Sequence, residues 1–171
     1  MPVDVYVAVG SNIRPEESIR AALDLLSREV DVTGVSTFYR TAALGRPEQA
    51  EFLNGVVRVR TSLGPRVLKF QVLRRIEAQL GRVRTGDRYA PRTIDLDLVL
   101  YGDRVIDEPD LRVPPEDVRR PFVALPLLEL AGDCALPGAG EPLSSLCGDA
   151  EGQGMRPAAE LTRELKERFS K

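Results

Sequence analysis

The sequence predicts an α+β fold on an antiparallel sheet, and three observations carry that reading. Apolar runs with a period of two mark strands, two stripes at helical spacing mark helices, and their order is strand-helix-strand-strand-helix-strand. That βαββαβ order is the split pattern of a ferredoxin-like domain, an αβα arrangement with two helices on one sheet face and the other face left to carry ligands.

Val3–Val9 reads as a buried first strand, which Gly10-Ser11-Asn12 should break. Pro15 then suits the first turn of a helix, and Ile19, Ala22, Leu23, Leu25 and Leu26 give it an apolar stripe ending near Glu29. Val30–Tyr39 is expected as strand two, Arg40–Glu51 as a loop of functional length, and Phe52–Thr61 as strand three. Pro65 opens a second helix whose Val67, Leu68, Val72, Leu73, Ile76 and Leu80 should face the core, and Gly81 ends it. The fourth strand follows, with Ile94, Leu96, Leu98 and Leu100 on one face. Arg104–Ile106 reads as a short hairpin return, while Pro121 and Pro126 should limit any helix in the apolar Val118–Ala131. Gly132–Gly154 is rich in Gly, Pro and small residues, and Ala158–Phe169 has the composition of a peripheral helix.

Composition bounds the function. The 171 residues, 43% hydrophobic and 29% charged, suit one catalytic domain over 1–171, with a core of about 3–131 and an extension of about 132–171. A net charge of −2 argues against a general nucleic-acid binder. Two cysteines without metal-ligand spacing, no apolar run of transmembrane length and no signal-like N-terminus favour a cytoplasmic protein with no membrane partner. The absence of histidine removes imidazole acid-base chemistry and His-ligated zinc.

The chemistry concentrates between Gly81 and Gly102. Asp95 and Asp97 alternate with the apolar positions of the fourth strand and so share a face, roughly 6.5–7 Å apart along it. Two carboxylates at that spacing can converge on one hard cation or bracket two. Arg82, Arg84, Arg88 and Arg92 precede them in a Gly- and Pro-punctuated segment, and guanidinium forks match phosphate oxygens. Taken alone, an Asp-x-Asp is as easily a solvated polar face; the arginines shift the reading toward a metal-phosphate site.

RYAPRTIDLDLVLYG at Arg88–Gly102 does not stand alone. With VAVGSN at Val7–Asn12, STFYRT at Ser36–Thr41, FLN at Phe52–Asn54, IEAQLGRVR at Ile76–Arg84 and LRVPP at Leu111–Pro115, it resembles the 6-hydroxymethyl-7,8-dihydropterin pyrophosphokinase family of folate biosynthesis. The likeness covers about Val3 to Ala131 and implies transfer of diphosphate from ATP to the pterin hydroxymethyl, with release of AMP. It implies that Asp95 and Asp97 hold two magnesium ions, and that Arg82 and Arg92 are the catalytic arginines. It implies a pterin site of Thr41, Ala42, Leu44, Phe52, Asn54 and Phe122, the two aromatics sandwiching the ring and Asn54 reading its edge. It implies nucleotide contacts from Glu77, Arg84, Tyr89, Leu98, Arg112 and Arg120, although a salt-bridge role for Glu77 is an equal contender. A monomer acting on two small molecules, ATP and the pterin, is expected.

The sequence also departs from the family pattern. Pro115-Glu116 stand where a histidine contact to ATP is usual, Tyr89 replaces a frequent tryptophan, Ala42-Ala43 replaces Pro-Pro, and the second helix is one residue longer. Gly10–Arg14, Ala42–Glu51 and Arg82–Pro91 are expected as lids over the site. An RNA-recognition module, which shares the strand-helix order, and a non-catalytic pterin or nucleotide sensor are the competing readings.

Overall fold

The fold is taken from a computed structural model that describes residues 1–42, 48–82, 93–148 and 154–170. Strand β1 (Val3–Ser11) forms the middle of the sheet. It does not stop at Gly10, because Gly10 and Ser11 still pair with Asn54 and Leu53. Helix α1 (Pro15–Glu29) follows with the expected bounds, Pro15 in its first turn and Ile19, Ala22, Leu23 and Leu26 buried.

The expected second strand is two strands, β2 (Asp31–Val35) and β3 (Tyr39–Thr41). Both pair with β4 (Phe52–Thr61), and the chain leaves the ladder between them for a physical reason. Ser36 exchanges bonds with Val56, its N–H donating to the Val56 carbonyl and its Oγ accepting from the Val56 N–H, while Phe38 turns its backbone toward the C-terminal segment. The Phe38 ring is fully buried over Gly55, where a Cβ would lie 2.6 Å from it.

The second helix opens at Pro65, as expected, then winds as a π turn over Val67–Leu73, with the Arg74 N–H donating to the Lys69 carbonyl, before α2 (Arg74–Gln79). A π turn fits about one more residue per turn than an α-helix. It also changes the face: Leu68, Val72, Leu73 and Ile76 are buried as expected, but Val67 is exposed.

Strand β5 (Asp95–Tyr101) completes the sheet on the other side of β1. The pairing skips Val99, since Tyr6 faces Leu100 and Val7 faces Leu98. This bulge overturns the simple alternation. Leu96 and Leu98 enter the main core, whereas Val99 and Leu100 pack on the opposite face. The hairpin after β5 is a separate pair, β6 (Ile106–Glu108) with β7 (Leu111–Val113), later than the expected Arg104–Ile106 return.

The order β5-β1-β4, with β2 and β3 along the far edge of β4, is antiparallel at every named pairing. Helix α1, the second helix and the C-terminal helix share the main core with one face. The other face is not left open along its length. Helix α3 (Pro121–Ala131) lies there, its Val123 and Leu127 packed with Val56, Val99 and Leu100. Pro121 sits in its first turn, where a missing N–H costs nothing, while Pro126 lies inside the helix, which still runs eleven residues and buries Pro126 with Val123 and Leu127.

The C-terminal segment is structural, not peripheral. Strand β8 (Arg156–Pro157) pairs with β3, and α4 (Ala159–Phe169) sends Leu161, Leu165 and Phe169 into the main core. Its start is anchored by the Phe38 backbone, which donates to Thr162 Oγ1 at 2.9 Å and accepts from the Ala158 N–H at 2.8 Å. No described helix is long and apolar enough to cross a membrane.

Candidate active site

Sheet parity decides which side chains meet. On β4, Leu53, Val57 and Val59 belong to the main core, so Phe52 and Asn54 point to the face that carries Val56 and α3. On β5, Leu96 and Leu98 belong to the main core, so Asp95 and Asp97 point to that same second face. Cross-strand register then aligns Asp95, Gly10, Asn54 and Tyr39 in one row across four strands. Two strand spacings separate Asp95 from Asn54, roughly 9–10 Å, with Gly10 between them.

Gly10 makes that interval usable. A Cβ there would lie 2.6 Å from Asn54 Oδ1, so the asparagine side chain reaches over β1 only because position 10 has none. Asn54 Nδ2 also donates to Thr41 Oγ1 at 2.8 Å, which fixes the amide from the far side. Asn12, just beyond β1, donates to Gln49 Oε1 and the Ala50 carbonyl, tying the start of the 48–51 segment to the end of the strand.

At the acidic end, Glu77 is the pivot. It is a buried carboxylate, 2% exposed, whose Oε2 accepts from the Leu96 N–H at 2.9 Å and from Arg82 Nη1 at 2.6 Å. Arg82 Nη1 also donates to Asp95 Oδ1 at 2.7 Å and lies 3.3 Å from the Ile94 carbonyl. Burial opposes the guanidinium charge, yet Asp95 and Glu77 outweigh it and hold Arg82 above its ordinary value. Arg82 is thus clamped between the end of the second helix and the start of β5.

Asp95 and Asp97 keep about a third of their surface, 35% and 36%. Burial pushes the Asp97 carboxyl up to about 6, against the opposing pull of Lys69, with Asp95 and Asp117 adding to the rise. Lys69 Nζ lies 3.8 Å from Asp97 Oδ1. Paired hard oxygens suit a divalent ion that brings its remaining ligands with it, as magnesium does with water and phosphate oxygens. Among the described residues there is no group of three or more His, Cys, Asp or Glu placed to hold a metal ion.

The remaining expected contacts divide. Phe122 is the second residue of α3 and packs with the cluster on the second face, and Phe52, which opens β4, shares the parity of Asn54; both are half-buried. Thr41 is buried beside Asn54 and Ala42 is exposed. Leu98 is fully buried in the main core, so its side chain faces away from the acidic pair. Arg120 lies near Asp117 at 3.6 Å, and Arg112 is on β7, 3.5 Å from Asp107, both at the surface. Leu44, Arg84, Tyr89 and Arg92 lie outside the described residues, as do most of the expected Ala42–Glu51 and Arg82–Pro91 lids. Lys69 is a residue the sequence left unmarked, because its approach to Asp97 depends on how the second helix lies against β5.

Residues 6–132 match the profile of the family described as 7,8-dihydro-6-hydroxymethylpterin-pyrophosphokinase, HPPK. The chain belongs to this family. Like its fellow HPPK members it is a pyrophosphokinase that transfers diphosphate to a dihydropterin. The 2-amino-4-hydroxy-6-hydroxymethyldihydropteridine pyrophosphokinase of Pseudomonas aeruginosa is 44% identical over 137 residues, covering 78% of this chain and 83% of its own. The enzyme of the same name from Bacillus subtilis is 43% identical over 129 residues, 73% of this chain and 76% of its own. Among solved structures, wild-type Plasmodium falciparum HPPK-DHPS superimposes with a TM-score of 0.67 at 12% identity, covering 100% of this chain. The chain spans 47% of that longer protein, and the likeness there is one of fold: a mixed α/β structure with an antiparallel sheet and flanking helices.

Proposed function

We propose that this chain transfers the diphosphoryl group of ATP to the hydroxymethyl of 6-hydroxymethyl-7,8-dihydropterin, giving the pterin diphosphate and AMP, in cytoplasmic folate biosynthesis. The observation that carries the reading is the row Asp95-Gly10-Asn54, which sets a carboxylate and a carboxamide on either side of a residue without a side chain. We read the strand order as ferredoxin-like and residues 1–171 as one catalytic unit, because the C-terminal helix shares the main core.

In this reading Asn54 matches the donor and acceptor edge of the pterin, and Phe52 and Phe122 supply apolar faces for its ring. Thr41 orients the Asn54 amide, and main-chain groups near Ala42 and Leu44 extend the match. Asp95 and Asp97 provide the protein oxygens for two magnesium ions. Those ions, when bound with ATP, neutralise the phosphates and lower the cost of ionising the attacking hydroxyl. Arg82 supplies positive charge to the transferring group, and Arg92 is assigned the same task by its sequence position. Arg84, Tyr89, Arg112 and Arg120 are proposed for the nucleotide. Glu77 acts through Arg82, since its carboxylate is turned inward to the guanidinium and the Leu96 N–H.

Two variants test the assignment. Asp97→Asn is expected to lower turnover at least about a hundredfold, since charge stabilisation worth several kcal/mol is lost. Arg82→Ala is expected to slow single-turnover chemistry about 10²–10³-fold while changing ATP affinity less. A near-wild-type single-turnover rate for Arg82→Ala would contradict the role given to it. Pterin and nucleotide binding without AMP formation by the wild type would replace the reading with a non-catalytic sensor.

A further inference from the structure

Lys69 occupies a position that its helix reaches by an unusual winding. The π turn over Val67–Leu73 includes it, and its side chain, 18% exposed, lies between the second helix and β5 with Nζ 3.8 Å from Asp97 Oδ1. The ring of the next residue, Phe70, is approached by three cations, Arg66 at 5.2 Å, Lys69 at 5.8 Å and Arg74 at 5.1 Å. Arg66 is paired there with Glu108 and Asp110, so of the three cations it is Lys69 that reaches the acidic strand.

An ammonium so placed has opposite effects on two ligands. A bare divalent cation arriving at Asp97 meets a like charge a few ångströms away. A polyphosphate arriving with the cation gives the ammonium a new anionic partner, so the lysine can leave the carboxylate without losing its counter-charge. We propose that Lys69 is a positioning residue for the nucleotide phosphates: it holds Asp97 before ATP binds, disfavours magnesium alone, and passes to a phosphate oxygen when magnesium and nucleotide arrive together. The inference rests on the reading of Asp97 as a magnesium ligand.

The test is calorimetric titration of wild type, Lys69→Met and Lys69→Arg with magnesium alone, and with α,β-methylene-ATP in the presence and absence of magnesium. In Lys69→Met, removal of the like charge is expected to tighten magnesium binding roughly tenfold, while the analogue with magnesium binds roughly tenfold more weakly. Lys69→Arg, which keeps the charge, should move both affinities back toward wild type. Magnesium affinity that is unchanged or weaker in Lys69→Met overturns the proposal, as does unchanged or tighter binding of the magnesium-loaded analogue. If the wild type itself binds the analogue equally with and without magnesium, the fault lies in the metal assignment to Asp97, and the two failures are told apart. Circular dichroism of each variant reports whether the fold is retained, and Lys69→Gln serves in place of the methionine variant if that one is not folded.

Discussion

Asp97 links protonation to folding. Its carboxyl is raised from 3.8 to about 6, mainly by burial, so between those values the folded protein holds more protons than the unfolded chain. Stability from this group is fully present below pH 3.8 and is lost as pH rises through 6. Partial exposure screens the effect and reduces its size. In magnesium-free buffer, wild type should therefore lose stability relative to Asp97→Asn as pH rises from about 4 to about 7, followed by urea denaturation; a gap that stays constant across that range would contradict the burial described for Asp97. Glu77 is a buried acceptor for two donors, the Leu96 N–H and Arg82. Glu77→Ala leaves the Arg82 guanidinium, 10% exposed, with Asp95 as its remaining carboxylate partner and leaves the buried Leu96 N–H without its acceptor, which should cost about 1–3 kcal/mol. An equilibrium change below about 1 kcal/mol would contradict that account. The shared face of Asp95 and Asp97 was legible from a period of two alone. The inward turn of Glu77 and the approach of Lys69 were not, since both depend on how the second helix lies against β5, a tertiary relation with no local pattern.

Among the elements, the two departures from regular winding flank the acidic pair. The π turn alters the face of the second helix just before it, and the Val99 bulge moves Leu100 across the sheet just after it. Both arise from one residue more than a regular repeat allows, which is why periodicity placed Val67 and Leu100 on the wrong sides while placing Leu68, Val72, Leu96 and Leu98 correctly. The bounds of α1 and β4 were readable because Pro15 and a long β-branched run mark them locally. The role of α4 was not readable, since its charged composition suggested a peripheral helix, yet its Leu161, Leu165 and Phe169 enter the main core. Arg20 pairs with Glu164 through two bonds of 2.6 and 2.8 Å, which ties α1 to α4 at the surface. Leu165→Ala should thus destabilise the protein by about 2–5 kcal/mol, as for a fully buried leucine. A thermal midpoint unchanged by that substitution would restore the peripheral reading.

At the scale of the molecule, the sheet separates support from chemistry. One face rests on α1, the second helix and α4, and buries most of the core; the other carries α3 at one end and Phe52, Asn54, Asp95 and Asp97 at the other. The strand-helix order was legible in the sequence, but the covering of the second face was not, because Pro121 and Pro126 argue locally against the helix that the packed Val123 and Leu127 stabilise. Among the described residues, α3 covers the face at Val56, Val99 and Leu100, while the acidic pair and the amide stand toward its other end, where we propose that the two substrates meet. The most direct test of this assignment is phosphorus NMR of the purified chain with ATP, magnesium and 6-hydroxymethyl-7,8-dihydropterin. Equal amounts of AMP and a pterin diphosphate are expected, lost in Asp97→Asn; ADP with a pterin monophosphate, or no change in ATP, would contradict it.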